Sequence, residues 1–249
     1  VSRGVLIVTG GSRGIGAATS VRAAEDGWDV AVNYARDAES AARIAERVRA
    51  AGRRATTVRA DVSREDEVLR LFAETGSALG PVRGLVTSAG TTGLATRVEA
   101  MSEEEMHRVF NLNVIGLMLC CREAVRHMST ARGGSGGAIV NLASAASRLG
   151  GPNEFVHYAA SKGAVDSFTL GLAREVAGEG VRVNAVSPGM IDTEIHAAAG
   201  LPDRAAQAAP SIPMRRVGSA EEVAEAVVWL LGDGASYCAG SIVDITGGR

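Results

Sequence analysis

The chain has very little of what metal and thiol chemistry need. Only three of its 249 residues are cysteine. Cys120, Cys121 and Cys238 form no Cys-x-x-Cys pair, so neither a zinc site nor a redox dithiol is expected. Adjacent cysteines such as Cys120 and Cys121 rarely bridge each other, and both sit in an apolar helical stretch as small packing residues. The four histidines, His107, His127, His157 and His196, have no metal-ligand spacing. His157 precedes a tyrosine of interest below, and its role is either at a site mouth or in packing. Neither sign of charge is in excess: 26 Lys and Arg stand against 28 Asp and Glu, a net charge of −2. No basic face or cluster suggests a nucleic-acid partner. No apolar run approaches the roughly 20 residues of a membrane span, and no secretory signal is visible, so a cytoplasmic protein is expected. There is no Pro/Ser-rich linker, no shift in composition and no internal repeat. Residues 1–249 are expected to form one domain.

Alternating strand-like and helix-like stretches fill the chain and predict an α/β fold. Val5-Leu6-Ile7-Val8-Thr9 is a short, β-branched apolar run, the pattern of a buried parallel strand. Gly10-Gly11-Ser12-Arg13-Gly14-Ile15-Gly16 follows, and then a helical pattern from Ile15 to about Asp26. Strand, glycine turn and helix in that order are what a bound dinucleotide requires. Gly10 serves the tight turn, while Gly14 and Gly16 let backbone and helix approach a pyrophosphate. The helix N-terminus offers free N–H groups and the positive end of its dipole.

The second strand, Asp29 to Asn33, bears on which dinucleotide binds. An NAD site places a carboxylate at the end of this strand for the ribose 2′-hydroxyl. Here Asn33 stands in that place, followed by Tyr34, Ala35 and Arg36. Arg13 and Arg36 are then candidates to flank a 2′-phosphate with charge-assisted hydrogen bonds. NADP(H) is expected over NAD(H).

The chemistry points to Tyr158-Ala159-Ala160-Ser161-Lys162, with Ser144 upstream. Tyr158 and Lys162, four apart, share one face of a helix. A free phenol has a pKa of about 10, and a nearby ammonium favours the phenolate. Ser144, arriving from a separate segment after a strand, is placed to hold a carbonyl oxygen against the phenol. This is acid/base apparatus for interconverting a carbonyl and an alcohol.

Taken together, Thr9-Gly10-x-x-x-Gly14-x-Gly16, Asp61, Asn113, Ser144, Tyr158, Lys162, Pro188-Gly189 and Thr193 resemble the classical short-chain dehydrogenase/reductases over essentially the whole chain. Among these the chain is similar to bacterial glucose-dehydrogenase-like and 3-oxoacyl-carrier-protein-reductase-like oxidoreductases. The resemblance implies a single Rossmann-like, doubly wound domain with a mostly parallel seven-stranded sheet flanked by helices. It implies a catalytic group of Ser144, Tyr158, Lys162 and Asn113, and a homotetramer or homodimer. It implies a small-molecule carbonyl or alcohol substrate. Lys162 would hold the nicotinamide ribose, and Asn113 would kink its helix around a water linked to Lys162. Cofactor contacts are expected from Gly10, Ser12, Arg13, Gly14, Ile15, Gly16, Asn33, Arg36, Asp61 (to the adenine amino group), Val62, Ala89, Gly90, Tyr158, Lys162, Pro188, Gly189, Ile191 and Thr193. One departure is Thr87-Ser88 before Ala89-Gly90, where the family has Asn-Asn; it bears on how the central sheet is tied. Another is Thr91-Thr92-Gly93-Leu94, which lacks the Thr-Arg-Asp of carrier-protein reductases. A 3-oxoacyl thioester reductase is therefore the second reading. A cofactor-binding regulator without catalysis is a third, and it conflicts with the presence of Ser144, Tyr158 and Lys162 together.

Further strands are predicted at 55–60, 82–87, 138–142, 181–187 and 241–245. Ser63-x-x-Asp66, Ser102-x-x-Glu105 and Ser219-x-x-Glu222 read as helix starts, the second opening one long helix to about Arg132 that contains Asn113. Arg132 to Gly137 reads as a flexible connector. Residues 190–213, rich in Ala, Gly and Pro, read as a mobile substrate lid. Asn153, Glu154 and His196 are candidates to bond a polar substrate; Phe155, Met190 and Ile191 would favour an apolar one.

Overall fold

The computed structural model describes residues 2–249, apart from the side chain of His196. The seven strands are β1 (Gly4–Thr9), β2 (Trp28–Tyr34), β3 (Ala55–Arg59), β4 (Val82–Thr87), β5 (Gly137–Leu142), β6 (Val181–Pro188) and β7 (Ile242–Ile245). They form one parallel sheet in the order β3-β2-β1-β4-β5-β6-β7. The chain therefore winds outward twice from β1, and the order reverses between β1 and β4. In such sheets ligands bind beyond the carboxyl ends of the strands at that reversal.

Alternation along each strand explains the two layers of helices. Val5 and Ile7 face one core with Ala31, Leu85, Ile139 and Val183. Leu6 and Val8 face the other with Val30, Val32, Val86, Val140 and Val186. Both faces are buried, so the strands read as unbroken apolar runs. The first core is covered by α3 (Glu65–Leu79), α5 (Leu117–Met128) and α7 (Val156–Val176). The second is covered by α1 (Gly14–Glu25), α2 (Ala38–Ala50) and α10 (Ala220–Leu231). The remaining helices are α4 (Glu103–Phe110), α6 (Ala146–Leu149), α8 (Ile195–Ala198) and α9 (Arg204–Ala208). No described helix is long and apolar enough to cross a membrane.

Local chemistry corrects several expectations. Ser219 and Glu222 do form a reciprocal capping box, and Ser102 caps α4 by accepting from the Glu105 amide. Ser63 caps nothing: the N-cap of α3 is Arg64, and the Ser63 hydroxyl turns back to donate to Asp61 Oδ1 (2.7 Å). The long helical region expected to reach about Arg132 ends at Met128, and at Asn113, where a kink was expected, it carries a π-helical turn, Asn111–Gly116. Such turns put an extra residue into the helical ladder and commonly occur at functional sites. The connector at 132–137 is tightly packed: a Cβ on Gly136 would stand 2.6 Å from the carbonyl oxygen of Gly180. Residues 190–213, the expected lid, carry two short helices, α8 and α9.

Candidate active site

Because the sheet is parallel, the segments that follow its strands converge on one edge. Gly10–Gly16 follows β1, Arg36 follows β2, Asp61 and Val62 follow β3, Ala89 and Gly90 follow β4, Ser144 follows β5, and Gly189, Ile191 and Thr193 follow β6. Every segment named from the sequence reaches that edge.

The glycine loop has the shape expected of a cradle. Gly10 has φ +61°, and a Cβ there would lie 2.9 Å from Ala89 Cα. A Cβ on Gly16 would run into the carbonyl oxygen of Gly10. Gly14 has φ +50°, and a Cβ there would meet Thr193 Cγ2 at 3.4 Å, so loop and β6 segment face each other across the gap. The first turn of α1 has no side-chain cap and no acidic residue. Its N–H groups are left for an anion. These residues fit a dinucleotide pyrophosphate. Gly16→Ala is expected to weaken cofactor binding roughly tenfold or more, since the clash is with backbone that has nowhere to move; a fluorescence titration, with circular dichroism to verify the fold, reads it.

Asn33 requires a correction. It lies inside β2, opposite Val58, and is 2% exposed. Its Oδ1 accepts from the Gly10 amide (3.2 Å), and its Nδ2 donates to the carbonyls of Val58 (3.2 Å) and Ala60 (3.0 Å). The amide therefore braces the glycine loop against β3 with both of its N–H donors used, and its burial keeps it from a ribose. Arg13 and Arg36 are both exposed, and Arg13 pairs with Glu194 at 3.2 Å. Asp61 is exposed; its Oδ1 accepts from the Ser63 amide (3.0 Å) and hydroxyl. Val62 and Ile191 are buried, 3% and 5% exposed. Ile15 packs partly against the second core.

The Thr87-Ser88 departure leaves the sheet well tied. Thr87 donates to Asn141 Oδ1 (2.9 Å), Cys121 Sγ donates to the same oxygen (3.3 Å), and Asn141 Nδ2 donates to Thr169 (2.9 Å). Thr9 Oγ1 accepts from the Ala89 amide (3.1 Å). Hydroxyls, the Cys121 thiol and Asn141, none singled out from the sequence as a brace, join β1, β4, β5, α5 and α7. Thr87 and Asn141 are adjacent across the ladder, a pairing that appears only once strand order is known.

Tyr158 and Lys162 sit one turn apart on α7, with the Lys162 ammonium 5.8 Å from the phenol ring centroid. Lys162 is the only lysine in the chain and is 5% exposed. Its Nζ donates to the carbonyl of Leu142 at the end of β5 (2.5 Å). Burial brings its pKa down to about 8, with Asp166 opposing the fall. Burial also raises the Tyr158 phenol, and the Ser144 hydroxyl pulls it partly back. The structure thus departs from the expectation that Lys162 governs the phenol: desolvation dominates and favours the protonated form. Ser144, 9% exposed, accepts from the Ala146 amide (3.1 Å).

Asn113 lies in the π-helical turn and is 1% exposed. Its amide bonds groups outside its own helix. Oδ1 accepts from the Thr91 amide (2.9 Å), and Nδ2 donates to the Thr91 carbonyl (2.8 Å) and to Ser161 (3.1 Å). This locks the β4 loop to α7 beside Lys162. A Cβ on Gly90 would be 3.2 Å from Asn113 Oδ1 and 3.9 Å from Lys162 Nζ.

His157 is a packing residue, 5% exposed, with burial lowering its pKa. Asn153 Oδ1 accepts from Arg97 (3.0 Å), Glu154 is paired with Arg204 of α9, and Arg204 stacks over Phe155 at 5.0 Å. Both polar groups named for a substrate are thus engaged, and the His196 side chain lies outside the described residues. Among those residues no cluster of His, Cys, Asp or Glu could hold a metal.

A doubly wound parallel sheet with a glycine cradle at its switch point and a Tyr-Lys pair beside it defines a dinucleotide-dependent oxidoreductase. Comparison with known proteins agrees. The family model described as enoyl-(acyl carrier protein) reductase matches residues 10–249. The uncharacterized oxidoreductase YgfF of Escherichia coli (strain K12) is 49% identical over 98% of this chain and 99% of its own. A 3-oxoacyl-[acyl-carrier-protein] reductase, FabG, of Staphylococcus epidermidis is 36% identical over 97% of each chain. A short-chain dehydrogenase from Burkholderia cenocepacia J2315, solved in complex with NADP, superposes with a TM-score of 0.90 at 32% identity, covering 99% of this chain and 98% of that one. The chain belongs to the short-chain dehydrogenase/reductase family, and with it to the oxidoreductases that work with a nicotinamide cofactor.

Proposed function

We propose that the protein is an NADP(H)-dependent oxidoreductase that interconverts a ketone and a secondary alcohol, with Tyr158 as its acid and base. The observation that carries this is the placement of Tyr158 and Lys162 on one face of α7, at the strand edge that also holds the glycine cradle. When bound, the cofactor supplies the hydride. Gly10, Ser12, Gly14, Gly16, Ala89, Gly90, Pro188, Gly189 and Thr193 would hold it, with Asp61 at the adenine. Ser144 and Tyr158 donate hydrogen bonds to the carbonyl oxygen of the substrate. Tyr158 then passes its proton to that oxygen as the alcohol forms, and its burial keeps that proton in place beforehand. Lys162 orients the nicotinamide ribose and offsets negative charge left on the phenolate. Asn113 fixes the loop that frames this group.

Arg13 and Arg36 support the choice of NADP(H): both are exposed beside the cradle, where a 2′-phosphate would take two charge-assisted hydrogen bonds. Titration with NADPH and NADH tests this. Arg36→Ala is expected to weaken NADPH binding roughly 10–100-fold and leave NADH nearly unchanged; equal losses for both cofactors would overturn the preference. A carbonyl panel of small ketones, sugar ketones and acetoacetyl thioesters then names the substrate. The likeness to the Staphylococcus enzyme favours a 3-oxoacyl thioester as second reading, and the thioester arm decides it.

Residues 1–249 act in this proposal as one catalytic domain, with 190–213 as its lid, held by Arg204 on Glu154 and by Glu194 on Arg13. Met106, Ile115, Leu170, Trp229 and Tyr237 are large apolar side chains left exposed, which supports a homodimer or homotetramer. The cytoplasm, with its pool of reduced nicotinamide cofactor, is the compartment this activity suits.

A further inference from the structure

The amino ends of the strands, at the edge opposite the glycine cradle, surround a second cavity of about 600 Å³. Trp28 of β2, Arg83 of β4, Gly137 of β5 and Arg182 of β6 line it. The fold is shaped there around Arg83. β1 and β4 pair Val5 with Val82 and then Leu6 with Gly84, so Arg83 is one extra residue in the ladder. A bulge of this kind re-aims a side chain. Gly4 gives the stem its room: it has φ +116°, and a Cβ there would stand 2.7 Å from Arg83 Cγ. On the other side of β1, the ladder partner of Gly4 is Trp28, so the two residues flank one glycine. The other charges of the cavity are engaged. Arg182 donates to the carbonyls of Leu230, Leu231, Gly232 and Ala235. The two carboxylates in the lining, Asp26 and Asp233, both pair with Arg3 (2.7 and 3.2 Å). Arg83 is half-buried, and its Nε, withdrawn from solvent, has no acceptor among the described residues. Trp28, 4% exposed, is in the same position: its Nε1 is buried and has no acceptor among them. Two buried donors without acceptors, on side chains lining one cavity, call for a ligand that brings acceptors.

We propose that this cavity is a second binding site, for a small molecule whose phosphate or carboxylate group is held by the Arg83 guanidinium beside Trp28. The planar fork of an arginine fits such an oxyanion with two parallel hydrogen bonds. A cavity of this size accommodates more than a bare ion. The site lies at the opposite edge of the sheet from the acid/base group and does not rest on the reaction proposed above. The chain supplies its own reporter. It has two tryptophans, Trp28 and Trp229, and Trp229 is exposed on α10, outside the lining of the cavity. In Trp229→Phe protein, all tryptophan emission comes from Trp28.

Inorganic phosphate and acetate are the probes, each titrated into Trp229→Phe protein against chloride at constant ionic strength. Emission from Trp28 is expected to change and saturate in the millimolar range with at least one of them, and not with chloride. The probe that saturates at the lower concentration identifies the group as phosphate or carboxylate. Arg83→Gln, made in the same background, removes the guanidinium and should weaken that binding roughly tenfold or more while circular dichroism stays unchanged. Arg83→Met keeps the stem and drops the charge; it takes the place of the Gln variant if that does not fold, with the same expected loss. Absence of saturation with both probes would overturn the proposal. So would binding as tight without Arg83 as with it, because an oxyanion seated at the glycine cradle is indifferent to Arg83.

Discussion

Tyr158→Phe is expected to lower kcat by about 10³-fold or more while NADPH binds within a factor of about three of the unaltered protein. The substitution removes one oxygen and keeps the ring, so its packing on α7 and the 5.8 Å approach of Lys162 survive. On the proposed mechanism, what is lost is the donor that protonates the forming alcohol, and general acid catalysis of this kind is worth about 10²–10⁴. Loss of a hydrogen bond to the developing oxyanion adds to it. In the proposed site, cofactor binding draws on the glycine cradle, the uncapped first turn of α1 and the exposed arginines, none of which the substitution touches. Steady-state turnover and a parallel fluorescence titration separate the two effects. Activity above a tenth of the starting value would show that another group protonates the product.

What was legible in the sequence, and what was not, follows from where each residue's constraints come from. The strands were legible because both faces of the sheet are buried: Val5-Leu6-Ile7-Val8 must be apolar throughout, with Leu6 and Val8 in one core and Val5 and Ile7 in the other. The glycine loop was legible because Gly10 and Gly14 adopt positive φ and Gly16 is hemmed in by backbone. Tyr158 and Lys162 were legible because helical spacing alone puts them together. Asn33 was misread because a shift of one residue along a strand turns a side chain from cleft to core; the ladder to Val58 fixes that phase. Asn113 was found, but its partner Thr91 lies on a different element 22 residues away. The Thr87–Asn141–Thr169 chain depends on β4 and β5 being neighbours, which strand order supplies.

Lys162→Met is expected to abolish turnover and at the same time raise Tm by roughly 4–8 °C at pH 7. Burial moves the pKa of Lys162 from 10.5 to about 8, which corresponds to about 3 kcal/mol spent on keeping the amine charged in the folded state. A methionine fills similar space without charge. It leaves the Leu142 carbonyl without its donor, which costs about 1 kcal/mol, so a gain of about 2 kcal/mol remains. For a chain of this size each kcal/mol moves Tm by roughly 2–4 °C. The pH dependence distinguishes this cause from better packing. Below about pH 8 both folded and unfolded lysine are protonated, and the full penalty burdens the unaltered protein. Between about 8 and 10.5 the unfolded chain binds more protons than the folded one, so the unaltered protein gains stability as pH rises. The advantage of the methionine variant should therefore be complete at pH 7, shrink through that window and give way above it to a deficit of about 1 kcal/mol, the cost of the unpaired Leu142 carbonyl. Calorimetry at several pH values tests the trend; an advantage independent of pH would mean that the buried charge is not what the folded state pays for. If that trend is met, the site keeps a costly ammonium where an apolar side chain would make the protein more stable, which fits the proposed part of Lys162 in the chemistry rather than in the fold.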